Sequence, residues 1–385
     1  MRVVAMPLKA VMLSYQDTSH ANEIKGEVAR RGLCGDVFLT STPAHAHITA
    51  TKLDTSVTKW EVQVTADTEG LSPNKNYTLH ASITEQGREV KAFTSPVFKG
   101  STKAGRTVFR ASWKPAKLWD LHTPQNQYQA ALSLREEGTL QDVSHPTPFG
   151  FREFVIKGKD FYLNGSRLFL SAVPLDNAQI GAALSTYAGA KESLKRLQSF
   201  GINFVYTHNY DCEPGAHLSF TEILRAADDV GMLVALTQPH FSHYEWKNPG
   251  AERTNNYARH AAFYVKVAQN HPSVVAYSMS HNATGYNEDM NPDMIDGIHA
   301  DRDEWSNRNA KMALRAEAIV KSFDPSRIVY HHAGGNIGAI HSSNFYPNFV
   351  PIQELSDWFG HWSKEGVKPV FLCEYGAPFT WDWTM

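Results

Sequence analysis

The spacing of apolar residues changes period near Pro148, and that change constrains the fold more than any other feature of the chain. Before it, short segments alternate apolar and polar residues. Residues 60–65 read WEVQVT, 77–83 YTLHASI, 108–113 VFRASW and 128–134 YQAALSL, with Gly, Asn, Pro or Ser turns between them. Strands so spaced, with no helix-period segment among them, predict an antiparallel β-sandwich of the immunoglobulin-like class over residues 37–148. After Pro148 strands and helices alternate. Strands are predicted over 167–173, 203–207, 232–237, 274–280, 328–331 and 370–373, with a sixth near Asn344 between the last two. Helices are predicted over 187–200, 220–230, 256–269, 304–323 and 353–359. Repetition of this kind predicts a parallel sheet, and the number of units favours a (β/α)8 barrel, the TIM barrel, over a doubly wound sheet. No Gly-x-Gly-x-x-Gly follows a strand, which weakens a dinucleotide-binding alternative.

The barrel is expected to be incomplete at its C-terminal end, because only about seven strands fit between residues 149 and 385. An open seam would expose strand edges. A truncated chain is the expected explanation, and a partner chain of a homo-oligomer is the other.

Composition narrows the ligand. The chain has 385 residues, with 37 Lys and Arg against 39 Asp and Glu. This balance argues against an extended nucleic-acid surface. Nine Trp, fifteen Tyr, twenty Phe and eighteen His suit a neutral polar ligand such as a carbohydrate, and suit a packed core equally well. Cys34, Cys212 and Cys373 are isolated, against both a disulfide scaffold and a structural zinc site. No apolar run approaches the roughly 18 residues of a membrane span. Lys9, Gln16, Asp17 and His20 are out of place in a signal peptide. Secretion or a periplasmic location is expected only if the natural chain extends N-terminally.

Several segments in order resemble family 2 glycoside hydrolases, the relatives of β-galactosidase, β-glucuronidase and β-mannosidase. They are GLCGDVFL at 32–39, LWDLHTPQNQY at 118–128, GFREF at 150–154, FYLNG at 161–165, the stretches 194–208 and 226–234, and PVFLCEYG at 369–376. The resemblance implies that residues 1–36 are the end of a jelly-roll sugar-binding domain and that residues 149–385 form the catalytic-type barrel. It also implies activity on a β-linked oligosaccharide or polysaccharide fragment, without a cofactor.

Candidate site residues cluster at predicted strand ends, where barrel enzymes place their chemistry. Glu374 follows an apolar strand, and by the resemblance it matches the family's nucleophile. Asn282 matches the family's ligand of the sugar 2-hydroxyl. The acid/base glutamate expected next is Ala283, which cannot donate a proton. Glu288 and His281 are the expected substitutes, and a relative that binds sugar without cleaving it is the alternative. His208, Asn209 and Glu213 follow the second strand; His240, His243 and Tyr244 follow the third. His331 ends the fifth strand, Tyr346 follows the sixth and Trp381 lies beyond the last. These ten residues, Asn282 included, are expected to contact substrate. The histidines also raise a metal-dependent hydrolase, favoured only if they converge; no metal-ligand motif accompanies them, and no metal is expected.

Overall fold

The computed structural model describes residues 39–176, 186–208, 220–284, 303–345 and 351–375. The first strands are β1 (His47–Ser56), β2 (Glu61–Glu69), β3 (Asn76–Glu85), β4 (Arg88–Thr94), β5 (Phe98–Lys99), β6 (Gly105–Ser112), β7 (Tyr128–Glu136), β8 (Thr139–Val143) and β9 (Thr147–Phe149). They form two antiparallel sheets, ordered β1-β2-β6 and β4-β3-β7-β8, with β5 beside β3 and β9 beside β7. The two-residue period of a strand puts Val62, Val64 and Ala66 of one sheet into the same core as Leu79, Ala81, Ile83, Ala130, Leu132 and Leu134 of the other.

A three-stranded antiparallel unit follows: β10 (Phe154–Lys157), β11 (Asp160–Leu163) and β12 (Ser166–Leu168). Here the expected strand over 167–173 is corrected. Asn164 and Gly165 both take positive φ, 52° and 86°, the two-residue turn that folds a strand back on its neighbour. Leu168 therefore pairs with Phe161, and a separate strand begins at Ala172.

Five strands then pair in parallel in chain order: β13 (Ala172–Asp176), β14 (Phe204–His208), β15 (Leu233–Thr237), β16 (Val274–Met279) and β17 (Ile328–His331). A further parallel pair is β18 (His341–Phe345) and β19 (Val370–Tyr375). Helices α1 (Tyr187–Ser199), α2 (Thr221–Val230), α3 (Tyr257–Ala268) and α4 (Glu304–Phe323) connect the first five strands. The short helices α5 (Ile352–Asp357) and α6 (Gly360–Glu365) precede β19. Both β15 and β16 are buried along their whole length, as strands covered on two faces must be.

The strands divide their side chains between two cores. Phe204, Tyr206, Leu233, Ala235 and Tyr330 face one interior, with Phe371 and Cys373 of β19. Val205, Val234, Leu236, Tyr277 and Val329 face the helices, against Leu194, Leu224, Ala261 and Ala313. The Phe371 ring meets Phe204, Tyr206 and Tyr330 edge-on at 5.8, 5.8 and 5.3 Å. A residue of the last strand thus touches the second and fifth strands across the interior, so the sheet is curled. The arrangement is an antiparallel sheet domain followed by a β/α domain consistent with an incomplete (β/α)8 barrel. Gly231 makes the close turn from α2 into β15: its φ is +78°, and a Cβ there would lie 2.3 Å from the Leu121 carbonyl oxygen.

Buried polar groups join the two parts. Asn270 accepts from the Leu53 amide at 2.8 Å and donates to the Thr51 carbonyl at 2.8 Å. Asp324, fully buried, accepts from Arg327 at 2.5 Å and from the Tyr277 hydroxyl at 2.9 Å, with Lys52 of β1 at 3.5 Å. Burial opposes charge on Asp324, but Arg327 and Lys52 outweigh it and hold the carboxyl far below the usual range. Asp324→Ala would strand Arg327 without its partner, and we expect a loss of about 3–5 kcal/mol in urea unfolding. A depressed folded pKa means this contribution is complete above the unfolded carboxylate pKa and is lost as pH falls toward the folded one. The difference between wild type and variant should therefore persist at neutral pH and shrink in strong acid.

Candidate active site

The site is built where β16, β17, β18 and β19 end. After Met279 the chain leaves the sheet through two left-handed residues, Ser280 at φ 60° and Asn282 at φ 52°. Such conformations in non-glycine residues are held only by surrounding contacts, and they concentrate at functional sites. The contacts are present: the His332 amide donates to the Met279 carbonyl at 2.7 Å, and Asn309 of α4 donates to the Ala283 carbonyl at 2.8 Å. After β17 the turn at Gly334 is equally tight, because a Cβ there would lie 2.6 Å from that of His331.

The β19 strand reaches the site through an irregularity. Ser343 pairs with Leu372 but Asn344 with Glu374, so Cys373 is an extra residue in the ladder. A bulge of this kind re-aims the side chain that follows. The Tyr206 hydroxyl donates to the Cys373 carbonyl and ties the bulge to β14. Glu374, half-buried, is thereby brought beside Asn282, whose Nδ2 donates to Glu374 Oε1 at 3.3 Å. Asn282 Oδ1 accepts from Asn344 Nδ2 at 3.2 Å and lies 3.1 Å from His332 Nδ1. An ionised carboxylate only accepts, so the Asn282 amide nitrogen must face Glu374. Its oxygen then faces His332, whose Nδ1 must carry a proton. His332 Nε2 lies 3.9 Å from Glu374 Oε1. The His281 ring meets His332 edge-on at 4.7 Å, and His240 Nε2 sits 3.1 Å from the His281 carbonyl. Burial, with His243 and His281 nearby, lowers the pKa of His240.

The site thus gathers Glu374, Asn282 and His281 of the expected residues, with His240 behind them. It corrects one. Tyr330 faces the interior, so its neighbour His331 faces the helices, fully buried between Glu317 at 2.7 Å and Ser280 Oγ at 3.0 Å. The site histidine is the next residue, His332. Tyr244 also turns to the helix layer, its hydroxyl 2.7 Å from His260 Nδ1. His243 is exposed, its ring 5.5 Å from His240. Ala283 belongs to the strand–helix core and not to the interior cluster. His208 ends β14, and its side chain lies outside the described residues, as do Asn209, Glu213, Glu288, Tyr346 and Trp381. Asn344 and Tyr206 support the site from β18 and β14. The alternation Tyr330-His331-His332 is the signal that separates the two histidines.

The bulge gives a direct check. Cys373 is buried and its thiol is pushed up to about 12. Iodoacetamide at about pH 8 should leave Cys373 unmodified in the native protein and label it after denaturation, by peptide mapping, since the thiolate is the reactive form. Labelling of the native protein would show that the end of β19 opens.

Known proteins match both parts. The model for glycosyl hydrolases family 2 matches residues 45–152, and that for the family's TIM barrel domain matches residues 154–380. The chain is 27% identical over 225 residues to a β-galactosidase of Lactobacillus delbrueckii subsp. bulgaricus, covering 57% of this chain and 21% of that protein. It is 25% identical over 174 residues to the β-galactosidase of Thermoanaerobacterium thermosulfurigenes, covering 44% of this chain and 22% of that protein. The matched stretches thus span about a fifth of these relatives' length. Among solved structures, Bacteroides uniformis β-glucuronidase superposes with a TM-score of 0.64 at 19% identity, over 87% of this chain and 41% of that one. An Eisenbergiella tayi β-galacturonidase bound to galacturonate gives 0.62 at 19%, over 87% and 58%. At such identity the structures speak to fold alone, whereas the family match runs through the sheet domain and the β/α domain alike: the chain belongs to glycosyl hydrolase family 2.

Proposed function

We propose that the chain is the immunoglobulin-like and barrel part of a retaining hydrolase of β-linked glycosides, with Glu374 as nucleophile. The observation that carries this reading is the placement of Glu374 at the bulged end of β19 with Asn282 on its carboxylate. A Glu374 oxygen attacks the anomeric carbon, the bond to the leaving oxygen breaks, and water later hydrolyses the glycosyl ester. Asn282, by the family resemblance, holds the sugar's 2-hydroxyl. β-Galactosidases, a β-glucuronidase and a β-galacturonidase are among the relatives, which supports a β-linked hexoside or hexuronide as the substrate class. Residues 1–36 are then the end of a jelly-roll domain, 37–148 the sandwich and 149–385 the barrel.

The departure is the proton donor. Retaining hydrolysis places a second carboxyl roughly 5–5.5 Å from the nucleophile. Ala283 occupies the family's position, and Glu288 is our first candidate for the role, ahead of His281. A missing general acid matters only when the leaving group needs a proton. Dinitrophenyl β-glycosides should therefore turn over while alkyl β-glycosides lag, by more than leaving-group chemistry alone accounts for. Glu374→Gln should abolish both. If Glu288 serves, Glu288→Gln should cut alkyl glycosides by roughly 10²–10⁴-fold and leave dinitrophenyl glycosides nearly unchanged. Because of Ala283 a second reading stands beside this one, a sugar-binding relative without turnover. Binding of sugar with no cleavage of even the dinitrophenyl glycosides would decide for it.

A further inference from the structure

The site holds more ligand chemistry than a two-carboxylate hydrolase uses. One ring nitrogen from each of His281 and His332 and one Glu374 oxygen lie within 4.8 Å of one another, the only such grouping of ligating side chains among the described residues. Two imidazoles and a carboxylate are a common set for a zinc-class ion with an open fourth position. Tetrahedral ligands at bonds of about 2.0–2.2 Å stand roughly 3.3–3.5 Å apart, so the three would close by about an ångström on an ion.

His332 is already oriented for this. Its Nδ1 proton faces Asn282 Oδ1 at 3.1 Å, which leaves Nε2 to point toward Glu374 Oε1 at 3.9 Å. When the ring is neutral, Nε2 is the atom able to serve as a ligand, on the side of the carboxylate that completes the set. The Asn282 oxygen is the outer partner that ligating histidines ordinarily have. His332 is buried while His281 and Glu374 are half-buried, so the cluster has a closed back and an accessible front.

We propose that His281, His332 and Glu374 form a site for one divalent transition-metal ion, with a coordination position open to water or a sugar hydroxyl. The proposal uses the site described above but does not need hydrolysis. It constrains hydrolysis, because a Glu374 oxygen that holds an ion cannot also attack an anomeric carbon. Bound zinc should therefore inhibit any glycoside turnover that Glu374 performs, reversibly with chelator.

The test is titration of the chelator-treated full chain with Zn²⁺, and separately with Co²⁺, whose visible spectrum reports tetrahedral nitrogen and oxygen ligation. We expect one equivalent bound, with the Co²⁺ bands lost in His332→Ala and in the near-isosteric Glu374→Gln. Asn282→Ala should weaken binding by roughly 10–100-fold, as removal of an outer-shell partner does. Circular dichroism of each variant separates lost ligands from lost folding. His45→Ala/His47→Ala, which removes the His-x-His of the sheet domain, should bind as wild type does. Binding unchanged in both His332→Ala and Glu374→Gln, binding lost in the His45/His47 variant, or no saturable binding would overturn the proposal. Metal binding with no turnover by the chelator-treated protein would leave this inference standing and defeat the hydrolase reading; turnover by the chelator-treated protein with no metal binding would do the reverse.

Discussion

The Asn282 amide is the node on which the site depends. It offers two donors and an acceptor, and both ends are engaged: Nδ2 toward Glu374, Oδ1 toward Asn344 and His332. Because a carboxylate accepts and cannot donate, one contact sets the amide's orientation, and the orientation sets the protonated nitrogen of His332. Four strand ends are thereby held in one hydrogen-bonded unit. The node itself sits at positive φ, flanked by the left-handed Ser280 two residues earlier. The Met279 and Ala283 carbonyls hold that backbone in place, by accepting from the His332 amide and the Asn309 side chain. Local strain and polar connectivity are thus two aspects of one arrangement, since neither left-handed residue would persist without the bonds around it.

A second polar cluster works elsewhere and to another end. Asp324, Arg327 and Tyr277 are buried between the barrel strands and the sheet domain, with Lys52 reaching in from β1. A buried ion pair of this kind contributes little net stability over a well-packed apolar replacement, yet losing either partner is costly. Its value lies in register. Arg327 also donates to the carbonyls of Val274 at 2.9 Å and Ala268 at 3.0 Å, so the start of β16, the end of α3 and the approach to β17 are fixed together. The opposite ends of β16 and β17 are those that carry Asn282 and His332.

Much of this was legible in the chain, and the failures have physical causes. The change of period at Pro148 separates the antiparallel sheets from the parallel strands because strand and helix spacings differ. Glu374 and Asn282 were legible as polar residues following apolar strands. His331 and His332 could not be told apart by type, since both are imidazoles at one strand end. Only the inward placement of Tyr330 decides between them, and it depends on how the sheet curls. The strand expected over 167–173 is two strands, because Asn164-Gly165 makes a tight hairpin that pairs Leu168 back on Phe161 while the next strand starts at Ala172. The bulge at Cys373 left no sequence signal at all. It follows from pairing with β18, which is a long-range property, and without it Glu374 would not share its side of the strand with the interior residues.

The groups around Glu374 decide what chemistry the site can do. Two facing carboxylates work because their mutual repulsion keeps a proton on one of them near neutral pH. Ala283, one residue after Asn282, belongs to the strand–helix core and brings no carboxyl group to Glu374. Imidazoles stand beside it instead. A neutral imidazole does not raise a partner's affinity for protons by repulsion. It offers a lone pair, directed here by Asn282. Around Glu374 stand groups suited to lone-pair donation rather than to proton exchange between like carboxyls, and such a set calls for an electron-poor species. A sugar hydroxyl hydrogen meets the requirement weakly and a divalent cation meets it strongly, so a geometry suited to the proposed glycoside would also favour a metal.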